Sequence, residues 1–227
     1  MNLKEQAARQ ALAYVESGMV LGLGSGSTAS YFIDLLGARL RNGELGNIVG
    51  VATSQGTERQ AQAWGIPLST LADQPRLDLT VDGADEVDPD LNLIKGLGRA
   101  LLREKIVEIH SERLVIVVDE SKLVRRLGRG PLPLDMAPFG WETQIRWLNS
   151  LGCRAELRLE EDGSPVVTDD GNYMALCHFQ EGIADPYRLA RMLADRPGIV
   201  EHGLFLGMAD EVLMSTAQGT RVLRRER

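Results

Sequence analysis

Four times in its first 120 residues the chain runs through a short apolar stretch, breaks at glycine or acidic residues, and returns to helical spacing. The stretches are MVLGLG (Met19–Gly24), NIVGVAT (Asn47–Thr53), the centre of RLDLTVDGAD (Arg76–Asp85) and RLVIVVDE (Arg113–Glu120). Around them lie helical patterns: Leu3–Ser17 with a stripe of Ala7, Ala11, Tyr14 and Val15, then Thr28–Arg41, Thr57–Trp64 stopped by Gly65, and Gly98–Ser111. Strands that are apolar throughout, separated by helices, require a parallel sheet covered on both faces. In such sheets ligands bind beyond the carboxyl ends of the strands.

The rhythm changes at PLPLDMAPFG, Pro131–Gly140. A helix (Trp141–Leu151), a strand (Arg154–Leu159), a turn at Asp162-Gly163, a strand–turn–strand over VVTDDGNYMALCHF and a helix opening on Asp185-Pro186 follow. The last apolar runs, in GLFLGMADEVLMST, are able to rejoin the first sheet. The expected fold is therefore α/β: a Rossmann-like parallel-sheet domain over 1–130 and 204–227, with a smaller α+β domain, 131–203, inserted.

Apolar residues at 44% and charged residues at 25% are those of a globular protein, not a disordered or fibrous one. The net charge of -7 argues against nucleic acid as a partner. RVLRRER, Arg221–Arg227, is read as a solvated basic tail. Cys153 and Cys177 are too few for a disulfide framework and lack metal-ligand spacing, so two buried thiols in a reducing cytoplasm are expected. The longest uncharged run, Ser17–Ile33, holds four Gly and four Ser and does not suit a membrane span. The opening helix is charged, unlike a signal peptide.

Four constellations carry chemistry. GLGSGSTA, Gly22–Ala29, lies between a strand and a helix, where N–H groups converge on an anion and Ser25, Ser27 and Thr28 add hydroxyls. It formally matches a dinucleotide fingerprint, yet the second strand ends in Val51-Ala52-Thr53-Ser54, with no carboxylate for a ribose, and no Gly-Lys-Ser/Thr follows the loop. A single phosphate monoester fits better. DGADEVD, Asp82–Asp88, ends the third strand and aims Asp82 and Asp85 at one crevice across Gly83-Ala84, although an Asp-Gly turn is common for purely local reasons. Lys95 with Gly96 and Gly98 forms a second anion nest before a helix bearing Glu104. On that helix Leu102, Ile106 and Ile109 are expected to face the core, leaving Glu104 opposite. Lys122, after the fourth strand, is a candidate phosphate contact.

Together GLGSGSTA, TSQGTE, TVDGADEVD, LIKGLGRALLREKIV, VVDESKLV and PLPLDMAPFG resemble the ribose-5-phosphate isomerases of the A type, along nearly the whole chain. The resemblance implies reversible interconversion of D-ribose 5-phosphate and D-ribulose 5-phosphate, a step of the pentose phosphate pathway. It implies no metal or organic cofactor, and a homodimer or homotetramer. It places the proton acceptor on Glu104, with Asp82, Asp85 and Lys95 as its catalytic companions. Substrate contacts fall on Ser25, Gly26, Ser27 and Thr28, on Asp82, Gly83, Ala84 and Asp85, on Lys95, Gly96, Leu97 and Gly98, and on Lys122. Three positions depart from the usual pattern: Ser25 stands where Thr is frequent, Leu97 interrupts a glycine run, and Arg99 replaces a small residue. Two rival readings are a non-catalytic sugar-phosphate sensor of the same fold, which should lack the base, and a dinucleotide-dependent oxidoreductase, disfavoured by the missing ribose-binding acid.

Overall fold

The computed structural model describes residues 2–225. In chain order its elements are α1 (Leu3–Ala11), β1 (Val20–Leu23), α2 (Gly26–Arg41), β2 (Val49–Ala52), α3 (Gln55–Trp64), β3 (Leu79–Asp82), β4 (Glu86–Val87), β5 (Leu93–Ile94), α4 (Leu101–Ile109) and β6 (Leu114–Asp119). They continue with β7 (Leu132–Met136), α5 (Trp141–Asn149), β8 (Arg154–Leu157), β9 (Tyr173–His178), α6 (Pro186–Ala194), β10 (Ile199–His202), β11 (Leu204–Phe205), β12 (Glu211–Thr216) and β13 (Gly219–Arg224). Among the described residues no helix is long and apolar enough to cross a membrane.

The chain divides into two compact units. The first takes in the chain up to Ala84, Arg103–Lys122, and the chain from Gly207 on. It holds a six-stranded sheet of order β13-β12-β6-β3-β1-β2, parallel except for the β12–β13 hairpin. β1 sends the chain to β2 on one side, while β3 pairs on its other side, so the strand order reverses at β1/β3. Such a reversal opens a crevice at the strand ends. One face of the sheet buries Leu21, Leu23, Leu79, Val81, Val115 and Val117 against Ala7, Ala8 and Ala11 of α1 and Phe32, Ile33 and Leu36 of α2. Alanine at three contact positions lets α1 lie close to the sheet.

Two expectations change here. The first helix stops at Ala11 and tightens into a 3-10 turn, Leu12–Tyr14, instead of continuing to Ser17. The C-terminal basic run is not a tail: Arg221–Arg224 belong to β13, paired with β12, and Arg224 bonds Glu211 at 3.1 Å. Glu226 and Arg227 lie outside the described residues.

The second unit comprises Asp85–Leu102 and Leu123–Leu206. The sequence bounds the smaller domain at 131–203; by contacts Asp85–Leu102 and Leu123–Gly130 also group with it, because β5 pairs with β11 on one side and with β4 on the other, and Val87 of β4 bridges Leu123. Its main sheet, β10-β7-β9-β8, is antiparallel and follows a βαββαβ course, the ferredoxin-like arrangement. Leu148 of α5 and Leu189 and Leu193 of α6 cover one face of it, over Leu134, Met136, Ala175 and Cys177. Asp185 caps α6 by accepting the Arg188 N–H at 2.9 Å, with Pro186 starting the helix. Cys153 and Cys177 are both buried and unbridged.

Candidate active site

In the first unit the glycine-serine loop joins the end of β1 to α2 and meets the end of β3. Gly24 lies so close to Asp82 that a Cβ there would stand 2.4 Å from its carboxyl carbon, which restricts position 24 to glycine. Asp82 is fully buried, and one of its oxygens accepts the backbone N–H of Ser25 at 2.9 Å and of Gly83 at 2.6 Å. The carboxylate thus clamps the loop to the third strand. Ser25 in turn bonds Thr53 Oγ1 at 2.7 Å and Thr57 Oγ1 at 3.2 Å, while Thr57 donates to the Gly24 carbonyl at 2.9 Å. Ser54 caps α3 on the Thr57 N–H at 3.0 Å. The hydroxyl of Ser25 is therefore engaged inside the protein.

This network leaves α2, a helix of 16 residues, without a side-chain cap at its N-terminus. Its first N–H groups, those of Gly26, Ser27 and Thr28, are what the fold offers an anion. Gly26 and Ser27 are exposed and Thr28 is nearly buried. Lys4, on α1, reaches Ser27 Oγ at 2.8 Å. Sequence reading passed over Lys4, since a lysine on an amphipathic helix carries no local signal. It also passed over Thr53 and Thr57, although the hydroxyl-rich TSQGTE at the end of a strand offered one.

Lys122 closes a 3-10 turn after β6 and is half-buried. Burial pushes the carboxyl of nearby Asp119 up, but bonds from the Ser121 hydroxyl and N–H, together with the Lys122 and Lys4 ammonium groups, outweigh it and hold that carboxyl below its ordinary range. Both lysines therefore act on the same aspartate.

Glu104 overturns the expected helix phase. The buried face of α4 carries Leu101, Glu104, Val107 and Glu108, at 0%, 4%, 3% and 3% exposure, while Ile106 and Ile109 turn outward at 40% and 64%. Val107 packs against Gly22 of β1, close enough that a Cβ on Gly22 would stand 2.9 Å from it. Reading apolar residues as the inward stripe fails because two carboxylates occupy that stripe.

In the second unit Asp85 accepts the Leu97 N–H at 3.0 Å, tying the Lys95–Gly98 loop to the start of the unit. Arg158 holds the Leu97 carbonyl at 2.7 Å. Lys95 is 2% exposed; its N–H bonds the Gly203 carbonyl at 2.9 Å, and its ammonium lies 5.4 Å above the Phe205 ring. Arg99 adopts φ 74°, a conformation that favours glycine, and its guanidinium engages both oxygens of Glu160. That contact holds Glu160 below the usual carboxylate range. The unusual Arg99 thus has a partner within its own unit.

Among the described residues no three His, Cys, Asp or Glu side chains cluster so as to hold a metal ion. A sequence profile of the family described as ribose 5-phosphate isomerase A (phosphoriboisomerase A) matches residues 49–219. The chain is 51% identical to the ribose-5-phosphate isomerase A of Nitrobacter hamburgensis over 98% of its own length and 97% of that protein's. It is 48% identical to a probable ribose-5-phosphate isomerase 2 of Arabidopsis thaliana, over 97% and 85% of the two chains. Among solved structures, a D-ribose-5-phosphate isomerase in complex with phospho-erythronic acid superposes with a TM-score of 0.96 at 43% identity, covering 99% of this chain and 100% of that one. The enzyme from Plasmodium falciparum gives 0.95 at 38%, covering 99% of each.

Proposed function

The chain belongs to the ribose 5-phosphate isomerase A family, an aldose–ketose isomerase family, and from that premise we propose how its own residues divide the work. The reaction interconverts D-ribose 5-phosphate and D-ribulose 5-phosphate. Membership favours this isomerase over the non-catalytic sensor of the same fold.

Moving a proton between adjacent carbons requires a base for a carbon-bound hydrogen, groups that exchange protons with two oxygens, and a positive charge beside the enediolate. Glu104 takes the C2 proton of the aldose and returns it to C1 of the enediolate. Lys95 stabilises the developing oxyanion. Asp82 and Asp85 serve ring opening and the hydroxyl protons. The phosphate sits on the N–H groups of Gly26, Ser27 and Thr28, with Lys122 and Lys4 supplying charge, and its binding energy positions the reacting carbons. Gly83, Ala84, Gly96, Leu97 and Gly98 supply backbone around the sugar.

The observation that carries this reading is Glu104 at 4% exposure on the buried helix face that it shares with Leu101, Val107 and Glu108. Fully buried glutamates are rare unless they are used or paired. Free, buried thiols suit a reducing cytoplasm, where we place the enzyme, and we expect a homodimer or homotetramer, to be read by light scattering. Purified protein given ribose 5-phosphate should form ketose, and turnover should survive exhaustive chelation. Activity lost in chelator and restored by a divalent ion would contradict the proposed division of roles.

A further inference from the structure

Within the second unit, the segment between Leu123 and Gly130 carries three arginines, Arg125, Arg126 and Arg129, all exposed and all lining one open cavity of about 520 Å³. Sequence reading noted only the C-terminal basic run. The other wall is Phe179–Gly182, and Glu181 is the one acidic residue lining the cavity. This concentration of positive charge stands out in a chain of net charge -7.

The segment is held by its backbone. Glu86, 3% exposed, accepts the N–H groups of Gly128, Arg129 and Gly130. Val124 donates to Val87 at 2.9 Å, Ile183 donates to the Leu127 carbonyl at 2.7 Å, and the Leu127 side chain is 1% exposed in the core. Gly182, at φ 75°, lies so near that a Cβ would stand 2.9 Å from the Leu127 carbonyl and 3.0 Å from the Arg126 stem. The guanidiniums thus project from an ordered base, and part of the ordering cost of binding is met in advance. Arg126 donates to the Glu181 carbonyl at 3.3 Å, a long bond that a charged ligand can replace.

Guanidinium groups match phosphate oxygens in bidentate fashion. Three of them offer more donors than one phosphate monoester uses, whereas linked phosphoryl groups engage all three. The volume falls in the range of small-ligand sites, and Phe179 and Val124 add an apolar wall. We propose that this arginine loop binds a chain of two or more phosphoryl groups, inorganic or carried on a nucleotide, through residues separate from those assigned to the sugar phosphate.

Calorimetry of the full-length protein at low ionic strength tests this with tripolyphosphate, metal-free ATP and inorganic phosphate as probes. Tripolyphosphate and ATP should bind at least about tenfold more tightly than phosphate. The double variant Arg125→Ser/Arg126→Ser should lose on the order of 10²-fold in that affinity, with an unchanged Michaelis constant for ribose 5-phosphate. Tighter binding of ATP than of tripolyphosphate would assign the site to a nucleotide, and equal binding to the phosphate chain alone. Should the double variant fail to fold, Arg125→Ser by itself should cost roughly tenfold, and no loss would overturn the proposal. So would absence of binding by either polyphosphate, or binding that survives the arginine substitutions and disappears in Lys122→Ala.

Discussion

Residue by residue, the chemistry of this protein depends on where charge is removed from water and where it is supplied. The two lysines that share Asp119 illustrate the supply. If Lys122 and Lys4 both hold the substrate phosphate, Lys122→Ala should weaken substrate binding by roughly 1–3 kcal/mol, and Lys4→Ala should act in the same direction. Steady-state kinetics at several salt concentrations would check this, because added salt should raise the wild-type Michaelis constant. An unchanged constant in either variant would remove that lysine from the phosphate site. Asp135 illustrates the removal. It is 1% exposed on β7; burial, against a bond from Asn172 and with help from Asp170 and Glu201, pushes its carboxyl up from 3.8 to about 7. The folded state therefore keeps a proton that the unfolded chain releases, so this group costs no stability at pH below 4. Its cost grows as pH rises from 4 to 7 and levels off on the order of 4 kcal/mol. Asp135→Asn should flatten that fall in a series of denaturant melts. If mutant and wild type lose stability in parallel over that range, Asp135 is ionised in the native state.

Among elements, the loop between β1 and α2 shows what was legible and what was not. A strand, three glycines, hydroxyls and a helix in succession are the pattern of an anion-binding loop, and the reversal of strand order at β1/β3 puts this loop where such sheets open a crevice. The clamp from Asp82 to Ser25 N–H was hidden, because it joins residues 57 apart in sequence. Gly24→Ala tests that clamp: the new methyl would stand 2.4 Å from the Asp82 carboxyl, so the loop or the carboxylate must shift. Melting should show a loss of about 1–3 kcal/mol, and the Michaelis constant should rise with it. Unchanged values for both would mean the close approach relaxes freely. The helix α4 was misphased for an equally physical reason. Periodicity finds the inward face by its apolar residues, and here that face holds Glu104 and Glu108 while isoleucines point outward. The strand β13 escaped notice because its arginines disguise an edge strand, where charge is commonplace.

For the whole molecule, the alternation of apolar runs and helices was enough to fix the parallel sheet, and Asp185-Pro186 and the Asp-Gly turns marked the α+β part. The grouping of Asp85–Leu102 with the second unit was beyond such reading, since it rests on pairing between β5 and the distant β11. Of the four residues proposed for catalysis, the chain segments of the first unit carry Asp82 and Glu104, and those of the second carry Asp85 and Lys95. The account stands or falls on Glu104. In Glu104→Gln the side chain keeps its shape and hydrogen-bonding reach but no longer accepts the carbon proton. Binding of ribose 5-phosphate by calorimetry should change little, because the lost interaction belongs to the transition state. Turnover should fall by a factor on the order of 10²–10⁴. The most direct measurement is therefore hydrogen exchange at C2 of ribose 5-phosphate, followed by NMR in deuterated water with the wild type and with Glu104→Gln. The account predicts exchange by the wild type and its loss, in step with turnover, in the variant; near-normal exchange in the variant would contradict it and move the base to Asp82 or Asp85.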